Sequence, residues 1–162
     1  MDTLLSDLPA RIIAFDVGQR RIGIAITDPL GLTVQPLLTL YCKTPRADLK
    51  SIGRLLRRHS IAEAVVGHPV HLSGDASPRS ALSEAFAERL RTEFNLEVHL
   101  VDERLTSVAA HEILDEAGHA RGAERRRVID QVAAVLILEG FLEVRARRHA
   151  REREAIPPPA TE

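Results

Sequence analysis

The sequence predicts an α/β protein built on a mixed five-stranded sheet with helices on both faces. Three observations carry this. Three apolar, β-branched runs follow one another near the N-terminus with only short turns between them. Two more strand-like runs then alternate with stretches of helical periodicity. Short turns join antiparallel strands, whereas strands separated by helices form parallel βαβ units. An antiparallel meander joined to parallel strands is the result.

The first run, RIIAFDV from Arg11, reads as a buried strand, and Gly18 to Arg21 as the turn after it. Residues 22–27 (IGIAIT) form the second strand, and Asp28-Pro29-Leu30-Gly31 is a turn signal. Residues 33–41 form the third. Pro36 cannot donate to a ladder, which marks that strand as an edge or bulged one. Leu49, Ile52 and Leu56 recur at helical spacing over residues 46–59. Residues 61–67 (IAEAVVG) read as a buried strand. Ser77-Pro78 opens a helix, serine as cap and proline at the first position, with Leu82, Phe86 and Leu90 on one face. Residues 98–101 (VHLV) are the fifth strand. Thr106 can cap a helix ending near Gly118, and residues 128–142 form a strongly apolar last helix.

With 162 residues, 44% of them hydrophobic, there is material for one core, expected over residues 1–144. Residues 145–162 are charged and then proline-rich (Pro157, Pro158, Pro159), and are expected to be a disordered tail. A net charge of -1 gives no hint of a polyanionic partner, so any such case rests on where the charges sit. A lone cysteine, Cys42, excludes an internal disulfide and reads as a bystander. The first ten residues hold two acids and no basic segment, unlike a signal peptide. The longest apolar stretch, residues 132–142, contains Glu139 and is far short of the ~20 residues needed to span a bilayer. A cytoplasmic protein without a membrane partner is expected.

Acids at strand ends call for an explanation, because an unpaired buried charge is costly. Asp16 closes an apolar strand just before Gly18; a turn acid is the plainer reading of that position taken alone. Asp102 and Glu103 follow the last strand, where ligands of open α/β sheets bind. Spacing does not choose between those two, and either could pair with Arg104. Asp130 lies in the first turn of an apolar helix, a place that suits an acid for its own sake. Its face continues through Ala133 and Ala134, small enough to let the helix lie close to the sheet. Three such acids brought together would repel one another. A hard divalent cation resolves this, magnesium above all and manganese in its place. Two such ions about 3.5–4 Å apart can activate water and stabilise the leaving oxygen in phosphodiester hydrolysis. The histidines are scattered without an HExxH-like pair, so no zinc site is expected.

Basic residues bracket these acids. Arg20 and Arg21 flank the first turn, Arg104 follows Glu103, and Arg125, Arg126 and Arg127 precede Asp130 with no acid among the three. They are candidate phosphate contacts, whereas the tail arginines alternate with Glu152 and Glu154 and read as solvated. Aromatic content of 3% argues against base stacking on an aromatic platform.

Four ordered motifs, AFDVGQRRIGIAITD, VVGHPVHLSGDASPRS, VDERLTSVAA and RRRVIDQVAAVLIL, resemble those of the YqgF (RuvX) family, a bacterial branch of the RNase H-like fold near the RuvC resolvases. The resemblance covers about residues 11–142. It implies an RNase H-like nuclease whose acids are Asp16, Glu103 and Asp130, and it chooses Glu103 over Asp102. It implies a nucleic-acid partner, structured RNA or branched DNA, and hydrolysis at the 5′ end of 16S rRNA precursor, with Holliday junction resolution as the competing description. The chain differs from the family pattern at His68 and His71, where members often carry leucine and asparagine. A monomer or homodimer is compatible with all of this. Two other classes compete. Actin-like ATPases and sugar kinases also open on a strand and Asp-x-Gly, but need a second lobe for which 162 residues leave no room. A non-catalytic RNA-binding assembly factor would keep the fold; retention of all three acids favours catalysis.

Overall fold

The computed structural model describes residues 8–69, 77–103 and 122–156. Its elements are β1 (Arg11–Val17), β2 (Arg21–Thr27), β3 (Val34–Tyr41), α1 (Pro45–Arg58), β4 (Ile61–His68), α2 (Pro78–Phe94), β5 (Glu97–Asp102) and α3 (Ala123–Glu154). The five strands make one sheet in the order β3-β2-β1-β4-β5. β1, β2 and β3 pair antiparallel, and β1, β4 and β5 parallel. The expected mixed sheet is therefore present. β3 is an edge strand, and its register against β2 slips between Ile24 and Ala25, beside Pro36. Pro36 thus stands where a missing N–H costs least.

Side-chain caps start α1 and α2. The Thr44 hydroxyl accepts from the Ala47 N–H at 3.2 Å, and the Ser77 hydroxyl from the Ser80 N–H at 3.0 Å. Each cap satisfies a donor the first turn would leave unpaired, and proline follows each. Between β2 and β3, the Asp28 carboxylate accepts from the backbone N–H groups of Leu30, Leu32 and Thr33. This explains the turn and holds the Asp28 carboxyl below its usual range.

The alternation of strand side chains divides the core. Ile13, Phe15 and Val17 of β1 face α1 and α2, packing with Ile52, Leu56, Phe86 and Leu90. The Phe15 and Phe86 rings meet edge to face with centroids 5.2 Å apart. Ile12 and Ala14 face the other way, with Val65, Val101, Ile137 and Leu138 under α3. Helices thus cover both faces. Because side chains alternate, Asp16 falls on the α3 face.

One expectation is corrected. The sequence places the last helix over residues 128–142, with Asp130 in its first turn and disorder from Arg145; α3 instead runs from Ala123 to Glu154, so that Asp130 lies about two turns in and Arg125, Arg126 and Arg127 are themselves helical. The charges read as merely solvated also support the helix. Arg147 pairs with Glu143 at 2.5 Å and Arg148 with Glu152 at 3.8 Å, both one turn apart. Arg145 stacks on Phe141, 5.3 Å from the ring centroid, and pairs with Glu63 at 3.0 Å, which ties this part of the helix to the sheet. The prolines at 157–159, the helix expected from Thr106, His71 and Arg104 lie outside the described residues. No helix among the described residues is long and apolar enough to cross a membrane.

Candidate active site

Asp16 lies near the C-terminal end of β1, with only 9% of its surface exposed. Its partner in the β1–β2 register is Gly23. That glycine is why a helix can come so near. A Cβ at residue 23 would sit 1.9 Å from the carbonyl oxygen of Asp130, so the backbone of α3 rests directly on β2 there. Thr39 of β3 holds the same turn, donating to the Arg127 carbonyl at 3.1 Å. Asp130 is thereby brought to the same face and the same strand end as Asp16.

Glu103 completes the group by parity. Val101 packs under α3, so residue 103, two further on, continues towards that face, and Asp102 points away from it. Gly67 of β4 provides the room. A Cβ there would lie 2.9 Å from the Glu103 carboxylate and 2.5 Å from Ile137 of α3.

The electrostatics report the convergence. The Asp16 carboxyl is pushed up to about 6, first by burial and then by the nearby charge of Glu103; Arg79 acts against this and Asp130 adds to it. Two arginines supply positive charge. Arg79 Nη2 donates to Asp16 Oδ1 at 3.2 Å, and Arg21 Nε to Asp130 Oδ2 at 2.7 Å. The second bond raises the Arg21 pKa further above its ordinary value. Together Asp16, Asp130, Arg20, Arg21, Arg79, Gly18 and Gln19 line an open cleft of about 350 Å³. The acids are not gathered as tightly as a metal shell. Among the described residues, the one group of three whose ligand atoms all lie within 4.8 Å of one another is Glu63, Glu97 and His99.

Of the remaining candidates, Arg20 is exposed at the hairpin turn, and Arg125, Arg126 and Arg127 are exposed in the first two turns of α3, leading to Asp130. His68 closes β4 and pairs with Glu84 of α2 at 2.8 Å. Cys42 is half-buried, and burial pushes its thiol up, away from the thiolate a nucleophile needs.

Sequence reading missed Arg79, Gly23 and Gly67. Each carried a signal. Arg79 follows the Ser77-Pro78 helix start, where the helix dipole disfavours a cation, so an acidic partner could have been sought. Gly23 and Gly67 interrupt apolar strands, a mark of close approach by another group.

The comparisons with known proteins agree with this architecture. A protein from Moorella thermoacetica bearing the name "Putative pre-16S rRNA nuclease" is 47% identical over 133 residues, which are 82% of this chain and 94% of the relative. One of the same name from Koribacter versatilis is 44% identical over 140 residues, 86% of this chain and 91% of its own. The structure of T. thermophilus RuvC in complex with Holliday junction substrate superposes with a TM-score of 0.52 at 12% identity, over 84% of this chain and 96% of that one. At that identity the likeness is one of fold. The RuvX family, described as Holliday junction resolvase, matches residues 10–144, and the chain belongs to it.

Proposed function

We propose that the chain is a metal-dependent nuclease that hydrolyses phosphodiester bonds at the 5′ end of pre-16S rRNA. One observation carries this reading: Asp16, Glu103 and Asp130 come to one face and one strand end, where burial first and then the charges of Glu103 and Asp130 hold the Asp16 carboxyl up. The names of the curated relatives supply the substrate class.

The donor set fits a hard divalent cation. Three carboxylates around a buried Asp16 offer oxygen ligands, and their mutual repulsion is what such a cation removes. Asp16, Glu103 and Asp130 would hold magnesium, which when bound supplies an activated water and charge stabilisation. Arg79 and Arg21 bind and orient. Each holds a carboxylate, and each is placed to take a phosphate oxygen when that carboxylate turns to other ligands. The exposed row Arg125–Arg127 and Arg20 would hold the neighbouring backbone; Arg104, beside Glu103 in sequence, is the seventh candidate. None of these reads base identity, so selectivity rests on substrate shape. Action in the cytoplasm, as monomer or homodimer, accords with an rRNA precursor as substrate.

The test is cleavage in magnesium of three substrates: precursor 16S 5′ ends, plain single strands and four-way DNA junctions. Selective cleavage of the precursor supports the reading. Cleavage of junctions alone moves the protein to junction resolution. Magnesium-independent RNA binding without cleavage makes it an assembly factor.

A further inference from the structure

A second constellation of metal-ligating side chains stands on the same sheet face as the acids, at the opposite strand ends. Glu97 and His99 are two residues apart in β5 and so share a face. Glu63 of β4 is the direct register partner of Glu97. Two acids set directly opposite each other on paired strands repel. The atoms converge nonetheless. His99 Nε2 lies 2.6 Å from Glu63 Oε1 and 3.3 Å from Glu97 Oε1, and the three ligand atoms all lie within 4.8 Å of one another.

Burial is the second and independent observation. Glu63 is only 6% exposed. Its Oε1 and the His99 Nε2 are buried atoms that meet as an ion pair without the geometry of a hydrogen bond. Arg145 takes the other oxygen, Oε2, at 3.0 Å and stacks on Phe141, whose ring lies 4.9 Å from that of His99. Glu63 is thus held from behind by Arg145, with its other oxygen turned to His99 in the cluster.

We propose that Glu63, Glu97 and His99 form a second metal site, separate from the carboxylates of the cleft, that takes a borderline transition ion such as zinc. One imidazole nitrogen with two carboxylate oxygens suits such an ion, leaving a position for water, whereas magnesium prefers oxygen alone. Binding needs only side-chain adjustment, to bring the three atoms to ~2.0–2.2 Å from the ion. The six residues of β5 put this site roughly 20 Å from Glu103. Its role is structural: it joins β4 to the edge strand β5, and through Arg145 it braces the C-terminal half of α3. The scattered histidines gave no hint of it, because its ligands meet only once the two strands pair.

The experiment uses the full chain stripped of metal by chelation. Cobalt is titrated in as a visible-absorbance probe for the zinc site, and melting is followed with and without zinc. Four proteins are compared: wild type, Glu97→Gln, His99→Gln, and the triple variant Asp16→Asn, Glu103→Gln, Asp130→Asn. Wild type and the triple variant should both show the ligand-field absorbance of one cobalt ion at this site, apart from any cobalt that the cleft acids of wild type hold, and should melt higher in zinc. Glu97→Gln, at an exposed side chain that the fold does not need, and His99→Gln should weaken cobalt binding by roughly tenfold or more and keep magnesium-dependent activity. Absence of cobalt and zinc effects in wild type overturns the proposal. So does binding that survives both Glu97→Gln and His99→Gln, or that vanishes in the triple variant.

Discussion

The carbonyl oxygen of Asp130 occupies the space that a side chain on Gly23 would need, only 1.9 Å from the position of its Cβ. Gly23 in turn stands opposite Asp16 in the sheet register. The absence of one methyl group therefore sets the approach of α3 to the strand that carries the first acid. What bears on that glycine is backbone, which has no rotamer to escape into.

Gly23→Ala should accordingly destabilise the protein by about 1–3 kcal/mol, the usual cost of overpacking, and lift Asp130 away from Asp16. Gly67→Ala makes a useful contrast. Its Cβ meets the ends of flexible side chains, Ile137 and Glu103, so stability should fall less than activity. Denaturant melts and cleavage rates on both variants check the pair; a Gly23→Ala protein of wild-type stability would show that α3 can shift freely.

Each of Asp16→Asn, Glu103→Gln and Asp130→Asn should abolish magnesium-dependent cleavage while leaving the fold intact. The amides keep size and polarity but lose the charge that a cation needs. Circular dichroism beside the cleavage assay separates loss of function from loss of structure. Any variant with full activity removes its residue from the site.

The raised pKa of Asp16 has a consequence for metal-free stability. Its folded value, about 6, lies above the ordinary 3.8, so the folded state holds the proton more tightly than the unfolded one. The contribution is fully present below about pH 4 and is lost as pH rises through about 6. Its size is at most about 3 kcal/mol. In chelator, Asp16→Asn should therefore gain stability over wild type as pH increases from 4 to 7, and the gap should shrink when magnesium is added. Parallel melting curves for the two proteins across that range would contradict the assignment.

Arg125, Arg126 and Arg127 are exposed along the approach to Asp130. Each phosphate contact to a single strand should contribute roughly 0.7 to the slope of log affinity against log salt, and about 0.9 for duplex DNA. Replacing all three with alanine should weaken binding, flatten that slope, and lower the saturated cleavage rate less than loss of an acid does. Salt titrations of binding in calcium measure this. An unchanged slope assigns the run to solvent and leaves Arg20, Arg21, Arg79 and Arg104 as the substrate path.

Much of the fold was legible because it rests on local rules. Hairpin spacing, the Ser77-Pro78 start and the Pro36 edge signal each act within a few residues, and all three appear in the structure. The end of α3 was misjudged for a physical reason: alternating arginine and glutamate look equally solvated in a tail and in a helix. The pairing of Arg145 with Glu63, which holds that helix to the sheet, joins residues 82 apart in the chain.

Sequence by itself determined the five strands, their order and the mixed sheet, and it nominated three candidate acids. It left Asp102 and Glu103 equivalent by spacing, and only resemblance preferred one. The tertiary structure adds strand parity, which turns Glu103 towards α3 and Asp102 away and so supports Glu103 as the third acid. It also decided the partners: Arg79 for Asp16, Arg21 for Asp130, and Glu63 for His99. Such pairings join residues far apart in the chain, and no local propensity encodes them. They arise when strand register and helix packing bring backbones together, at glycines whose missing side chains carry a meaning that only the neighbouring element reveals.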